Sequence, residues 1–213
     1  MKKNNHMKTF LTVLFFGAVW GIVEATLGTI LHLPAIRIAG IWGGATTILV
    51  PIAFAIMGMY YKQSGNARGI AYMGILVAGI KAIVCAIFAL SLRPCAYILL
   101  ESLAFAGVVA FVKPKELISW KMFGCFAIAN TVYLLSASFI QFAPFQYGSA
   151  KWIEYAVYSN LIAVGYTLVV GLIAYLIKTF VKTPNIKLDK VILKPYIPVM
   201  MTCLALVCTL VLK

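Results

Sequence analysis

Seven long apolar runs divide this chain, and each break between them carries charge, proline or glycine. The runs cover residues 10–31, 36–61, 69–92, 94–112, 122–142, 155–180 and 195–212. Each is close to 20 residues, the length at which a helix crosses a hydrocarbon layer of roughly 30 Å. Leu33-Pro34 closes the first run and Gln63-Ser64-Gly65-Asn66 the second. Arg93-Pro94 separates the third from the fourth, and Lys113-Pro114-Lys115-Glu116 closes the fourth. Segment 144–149 follows the fifth, and Thr183-Pro184-Asn185 follows the sixth. Proline and glycine are the residues that stop helices. The pattern predicts an all-α polytopic membrane bundle. Six core transmembrane helices occupy about 10–180, a seventh C-terminal one occupies 195–212, and all belong to one integral membrane domain, 1–213.

Residues 1–8 form a short tail with Lys2, Lys3 and Lys8. The run after it lacks an Ala-x-Ala cleavage site and is longer than a signal-peptide core, so it reads as an uncleaved first span.

Basic residues give the orientation. With the N-terminus cytoplasmic, the inner segments hold Lys2, Lys3, Lys8, Lys62, Arg68, Lys113, Lys115, Lys121, Lys178, Lys182, Lys187, Lys190 and Lys194. The outer segments hold only Arg37, Arg93, Lys151 and Lys213. This is the positive-inside bias of a multi-pass protein of the cell membrane. Trp42, Trp152 and Tyr155 fall near the outer interface, and Tyr60, Tyr61 and Trp120 near the inner one.

Composition agrees. Hydrophobic residues make up 63% of the chain and charged ones 11%, more apolar than a soluble domain requires. The net charge of +13 then follows from topology and attraction to anionic lipid. It is not a nucleic-acid footprint, because the basic residues are scattered through loops with no basic helix to fill a groove. The five cysteines share no CxxC spacing and read as small packing residues. Only two histidines are present, His6 and His32, so no metal site and no cofactor are expected. Without His-Glu-x2-His, Gly-x-Ser-x-Gly or a nucleophile beside a base, no catalytic residues are expected either.

Three ionisable residues interrupt the apolar runs: Glu24, Lys81 and Glu101. Rise along a helix puts them roughly 21, 18 and 20 Å above the inner edge, in one layer just outside the midplane. Glu24 shares a helix face with Gly17, Gly21 and Gly28, and Lys81 with Gly74, Ala78 and Cys85. Two readings stay open. Lys81 pairs with one glutamate and fixes packing, or the set lines a cavity for a polar solute. Trp20, Tyr97, Asn130 and Asn160 join the charged residues as candidate substrate-binding positions, with aromatic walls and a few polar points.

Small residues recur at Gly17-x3-Gly21-x3-Ala25 and at Gly74-x3-Ala78-x3-Ala82-x3-Ala86. Such stripes bring helices close, within the chain or against a second membrane protein.

In size, span number, basic inner loops and the early small-x3-small motif, the chain resembles the substrate-binding S-component of energy-coupling factor transporters. Trp20-Gly21-Ile22-Val23-Glu24 and Leu99-Leu100-Glu101-Ser102-Leu103 also look like S-component-like bacterial membrane proteins. The resemblance implies capture of a small polar molecule, a vitamin or cofactor precursor, from the outer side. Uptake would be driven by partner ATPases and a T-subunit. It places the T-subunit dock at Gly17, Gly21 and Ala25, and a lid at 32–44. The alternatives are a proton-coupled secondary transporter using Glu24 and Glu101, or a structural membrane assembly subunit.

Overall fold

In the computed structural model the described residues are 2–31, 46–89, 91–140, 149–150 and 192–211, with isolated positions between 153 and 176. Every element among them is a helix. We number these α1 (Lys2–Leu31), α2 (Thr46–Ser64), α3 (Ala67–Ile87), α4 (Arg93–Val112), α5 (Trp120–Ile140) and α6 (Tyr196–Val211). Most of the sixth predicted span, 155–180, including Asn160, and the lid at 32–44 lie outside the described residues.

Boundaries follow local chemistry. α1 starts at Lys2, eight residues before its apolar run at Phe10, because nothing from Lys2 to Thr9 breaks a helix. Gly65, at φ +64°, turns the chain between α2 and α3. The Asn66 side chain then caps α3 by accepting from the Arg68 N–H at 3.1 Å, the usual N-cap device. α3 stops at Ile87, five residues short of its apolar run, where Ala89 takes φ +52°. Apolar residues can turn as well as span, so hydropathy alone overran the helix. Pro94 stands in the first turn of α4, where its missing N–H costs nothing. Lys113, left-handed at φ +48°, closes that helix by donating to the Val109 carbonyl.

Among the described residues, three helical stretches are long and apolar enough to cross a membrane: His6–Leu27 in α1, Ala67–Ile87 and Arg93–Val112. α6 is apolar but shorter. The outward faces of α3, α4 and α5 carry exposed Ile75, Ile83, Leu103, Phe111, Ile128 and Leu135. Water would not tolerate so much apolar surface on a monomer, whereas lipid does. The protein is an all-helical, multi-pass membrane protein.

Short connections make α2 and α3, α3 and α4, and α4 and α5 antiparallel neighbours. One buried cluster runs through α1 to α5 and includes Phe16, Trp20, Phe54, Met57, Met73, Phe105 and Phe126. Its centre is a ring stack joining α2, α4 and α5. Phe54 and Phe105 centroids lie 5.2 Å apart, and Phe105 and Phe126 lie 5.4 Å apart.

The small-residue stripes are used inside the chain. Gly74 of α3 lies directly against Ser102 of α4, with no room for a Cβ. A Cβ on Gly17 would fall 2.8 Å from Leu76 Cδ2 of α3. One on Gly21 would meet Ala205 of α6 at 3.4 Å and Ile80 of α3 at 3.9 Å. Ala25 is buried too. The stripe at Gly17, Gly21 and Ala25 therefore does not present a free docking face. Gly17 and Gly21 seat α3 and α6, because a groove of small residues lets a neighbouring backbone come close wherever that neighbour comes from.

Gly74→Leu and Gly21→Leu are expected to lower the thermal midpoint of the isolated protein in detergent, each by about 1–3 kcal/mol of overpacking. A stripe used solely to dock a second protein would leave the midpoint of the Gly21 variant unchanged.

Candidate functional site

Most buried polar side chains here are satisfied by their own helix. Thr12 donates to the Lys8 carbonyl at 2.7 Å, Ser102 to Leu99 at 2.9 Å and Thr209 to Ala205 at 2.6 Å. A short hydroxyl can fold back on the preceding turn in this way. Glu101, Asn130 and the Tyr60 hydroxyl do not. Glu101 is 3% exposed and Asn130 is fully buried. Glu101 Oε1 has no hydrogen-bond partner, and neither does Asn130 Oδ1 or Nδ2. Native interiors leave few such groups, and each costs about 1–3 kcal/mol when desolvated and unmet.

The two residues face one another. Glu101 sits one turn from Phe105 on the same face of α4. Asn130 sits one turn from Phe126 on the same face of α5. The Phe105 and Phe126 rings stack across the antiparallel pair. One turn further toward the Arg93 end, the same geometry sets Glu101 opposite Asn130. Neither bonds the other, and both lie closed off from solvent above an aromatic floor. Tyr97, half-buried, is a further turn along α4, and buried Tyr133 lies near that level on α5.

Glu24 approaches from α1. It accepts from the fully buried indole of Trp20, Nε1 to Oε1 at 3.4 Å, and makes further interactions. Helical side chains lean toward their own N-terminus. Glu24 on α1 and Glu101 on the oppositely directed α4 therefore lean toward each other.

Lys81 corrects the single-layer expectation. Gly74 is abreast of Ser102, so Lys81, seven residues on, is abreast of Cys95. Lys81 and Cys85 are indeed the neighbours that act on the Cys95 thiol. Lys81 therefore stands roughly 9 Å nearer the Arg93 end than Glu101. Gly21 packs near Ile80 and Gly17 near Leu76, so the Glu24 backbone stands at about the height of Ile83 on the parallel α3. The heights differ because register is set where small residues touch, not where apolar runs begin.

Of the sequence-predicted positions, the structure brings together Glu101 and Asn130, with Glu24 and Trp20 beside them and Tyr97 one turn away. It sets Lys81 apart. The aromatic floor and the pairing of Glu101 with Asn130 were missed. A signal existed: Glu101-x3-Phe105 on one helix and Phe126-x3-Asn130 on the next are mirror images, as an antiparallel pair requires. The neighbouring thiols Cys85 and Cys95 likewise have no local motif to announce them.

Asn130→Leu and Glu101→Met, which remove the orphaned groups at similar volume, are expected to raise or preserve the thermal midpoint of the solute-free protein. The gain is on the order of 1–3 kcal/mol each if nothing else shifts. A packing role resting on these polar groups predicts the opposite sign in the same melts.

Compared with protein-family models, curated proteins and solved structures, the chain matches none.

Proposed function

We propose that this protein is a membrane-embedded binding subunit that holds a small polar solute between Glu101 and Asn130. It would serve uptake of the energy-coupling factor type. The observation that carries this reading is the pair of buried, mutually facing, unpartnered polar groups above the Phe54, Phe105 and Phe126 rings. Ionisable groups buried among membrane helices usually mark a solute or ion path. An aromatic wall with a few convergent polar atoms is the ordinary makeup of a small-molecule site. In this reading the basic segments are cytoplasmic, the solute enters from the Arg93 end, and the protein does no chemistry of its own. Partner ATPases and a T-subunit supply the energy. Their dock lies on a lipid-facing surface other than Gly17, Gly21 and Ala25, which α3 and α6 already cover.

One observation favours a second reading, a proton-coupled carrier. Two carboxyl groups, buried Glu101 and partly buried Glu24, stand on oppositely directed membrane helices and lean toward each other. Uptake that collapses with an uncoupler and persists without ATPases would select it.

Native mass spectrometry of the detergent-purified protein provides the test. A co-purifying small molecule is expected, retained by wild type and lost from Glu101→Gln and Asn130→Leu. A protein that is empty from every growth medium, and that captures neither ATPases nor a T-subunit, would discard the importer reading.

A further inference from the structure

We propose that Cys85 and Cys95 form a redox-sensitive thiol pair, which hydrogen peroxide closes into a disulfide that staples α3 to α4 at the Arg93 end of their hairpin. This goes beyond the reading above and stands whether or not a solute binds near Glu101.

Packing brings the two thiols together. The contact of Gly74 with Ser102 sets the register of α3 and α4. It puts Cys95 abreast of Lys81, one turn before Cys85. Side chains lean toward the N-terminus of their own helix. Cys85 therefore leans away from the hairpin end and Cys95 leans toward it, so the two sulfurs approach each other. They meet closely enough to hydrogen-bond, and Lys81 acts on Cys95 as well. Both thiols are free and belong to the same buried cluster. The connection between the helices is only residues 88–92, which keeps the two helix ends close.

One of the pair lies within reach of a small oxidant. Cys95 is 8% exposed against 2% for Cys85, and residues 91–94 just before it are exposed. Hydrogen peroxide is small, neutral and able to arrive from either side of a membrane, so the inference does not depend on which way the protein faces. The thiolate is the nucleophile. A transient one suffices, burial makes this first step slow, and the Lys81 side chain is at hand as its counter-charge.

The Cys95 sulfur attacks one peroxide oxygen, the O–O bond breaks, and the departing hydroxide leaves as water with the proton from Cys95. A sulfenic acid remains on Cys95. The Cys85 sulfur attacks it, the S–O bond breaks, and a second water leaves with the proton from Cys85. Two thiols are oxidised to one disulfide, and one peroxide is reduced to two waters. The bond then restrains α3 against α4 immediately before Tyr97.

The full chain in lipid nanodiscs is treated with hydrogen peroxide, alkylated under denaturing conditions and mapped by mass spectrometry of its peptides. A linked peptide joining Cys85 to Cys95 is expected, cleaved by dithiothreitol. Cys203, exposed on α6, reports that oxidant reached the protein, and fully buried Cys125 reports that the fold stayed closed. In Cys85→Ser the link is expected to vanish and Cys95 to be trapped by dimedone as the sulfenic acid. The wild-type map decides even where that variant fails to fold. Lys81→Met is expected to slow closure several-fold and Lys81→Arg to restore it. Recovery of Cys85 and Cys95 as free thiols once Cys203 is oxidised overturns the pair, as does a link from either one to a different cysteine. An unchanged rate in Lys81→Met overturns the role given to Lys81.

Discussion

The contact of Gly74 with Ser102 is the constraint on which the site depends. It leaves α3 and α4 in backbone-close contact at one point, and an antiparallel pair touching at one point has its whole register set. Every other height follows from it. Cys95 falls beside Lys81 and Cys85, Phe105 falls within the ring stack, and Glu101 falls one turn above that stack. In lipid no hydrophobic force draws helices together, so close van der Waals fit at small residues carries that task. The same physics explains why Gly17 and Gly21 seat helices of this chain.

Polar satisfaction is the second organising rule. A spanning helix meets its own backbone demands, and its hydroxyl side chains borrow the carbonyl one turn back. Thr12, Ser102 and Thr209 obey that rule. Glu101 and Asn130 break it together, on facing surfaces, at one level. A single orphaned group reads as a local imperfection. Two at one level over an aromatic floor are the feature that the proposed binding role would explain.

Charge placement gives the region its character. Glu24 leans in from α1 with the Trp20 indole on one of its oxygens, while Lys81 stands outside at the level of Cys95. The region around Glu101 thus combines carboxyl groups with aromatic rings, although the chain as a whole carries +13. The positive charge belongs to the segments that flank the spans, where topology places it, and the interior has the opposite sign.

What the sequence determined by itself was the class of molecule. Apolar runs of membrane length, breaks at proline and glycine, and basic segments alternating along the chain do not depend on how helices pack. Helix identity was therefore legible in α1, α3, α4 and α5, with errors confined to ends such as Leu92, where an apolar residue takes part in a turn. The unusual residues were legible too, because Glu24, Lys81, Glu101 and Asn130 stand out against an apolar background. Their grouping was not. Helical rise measured from the ends of apolar runs placed three charges in one layer. The tertiary structure separates Lys81 from Glu101 and pairs Glu101 with Asn130 instead. The reason is physical: height along a helix is intrinsic to the chain, but height relative to a neighbour is set where the two backbones touch, and only packing decides that point.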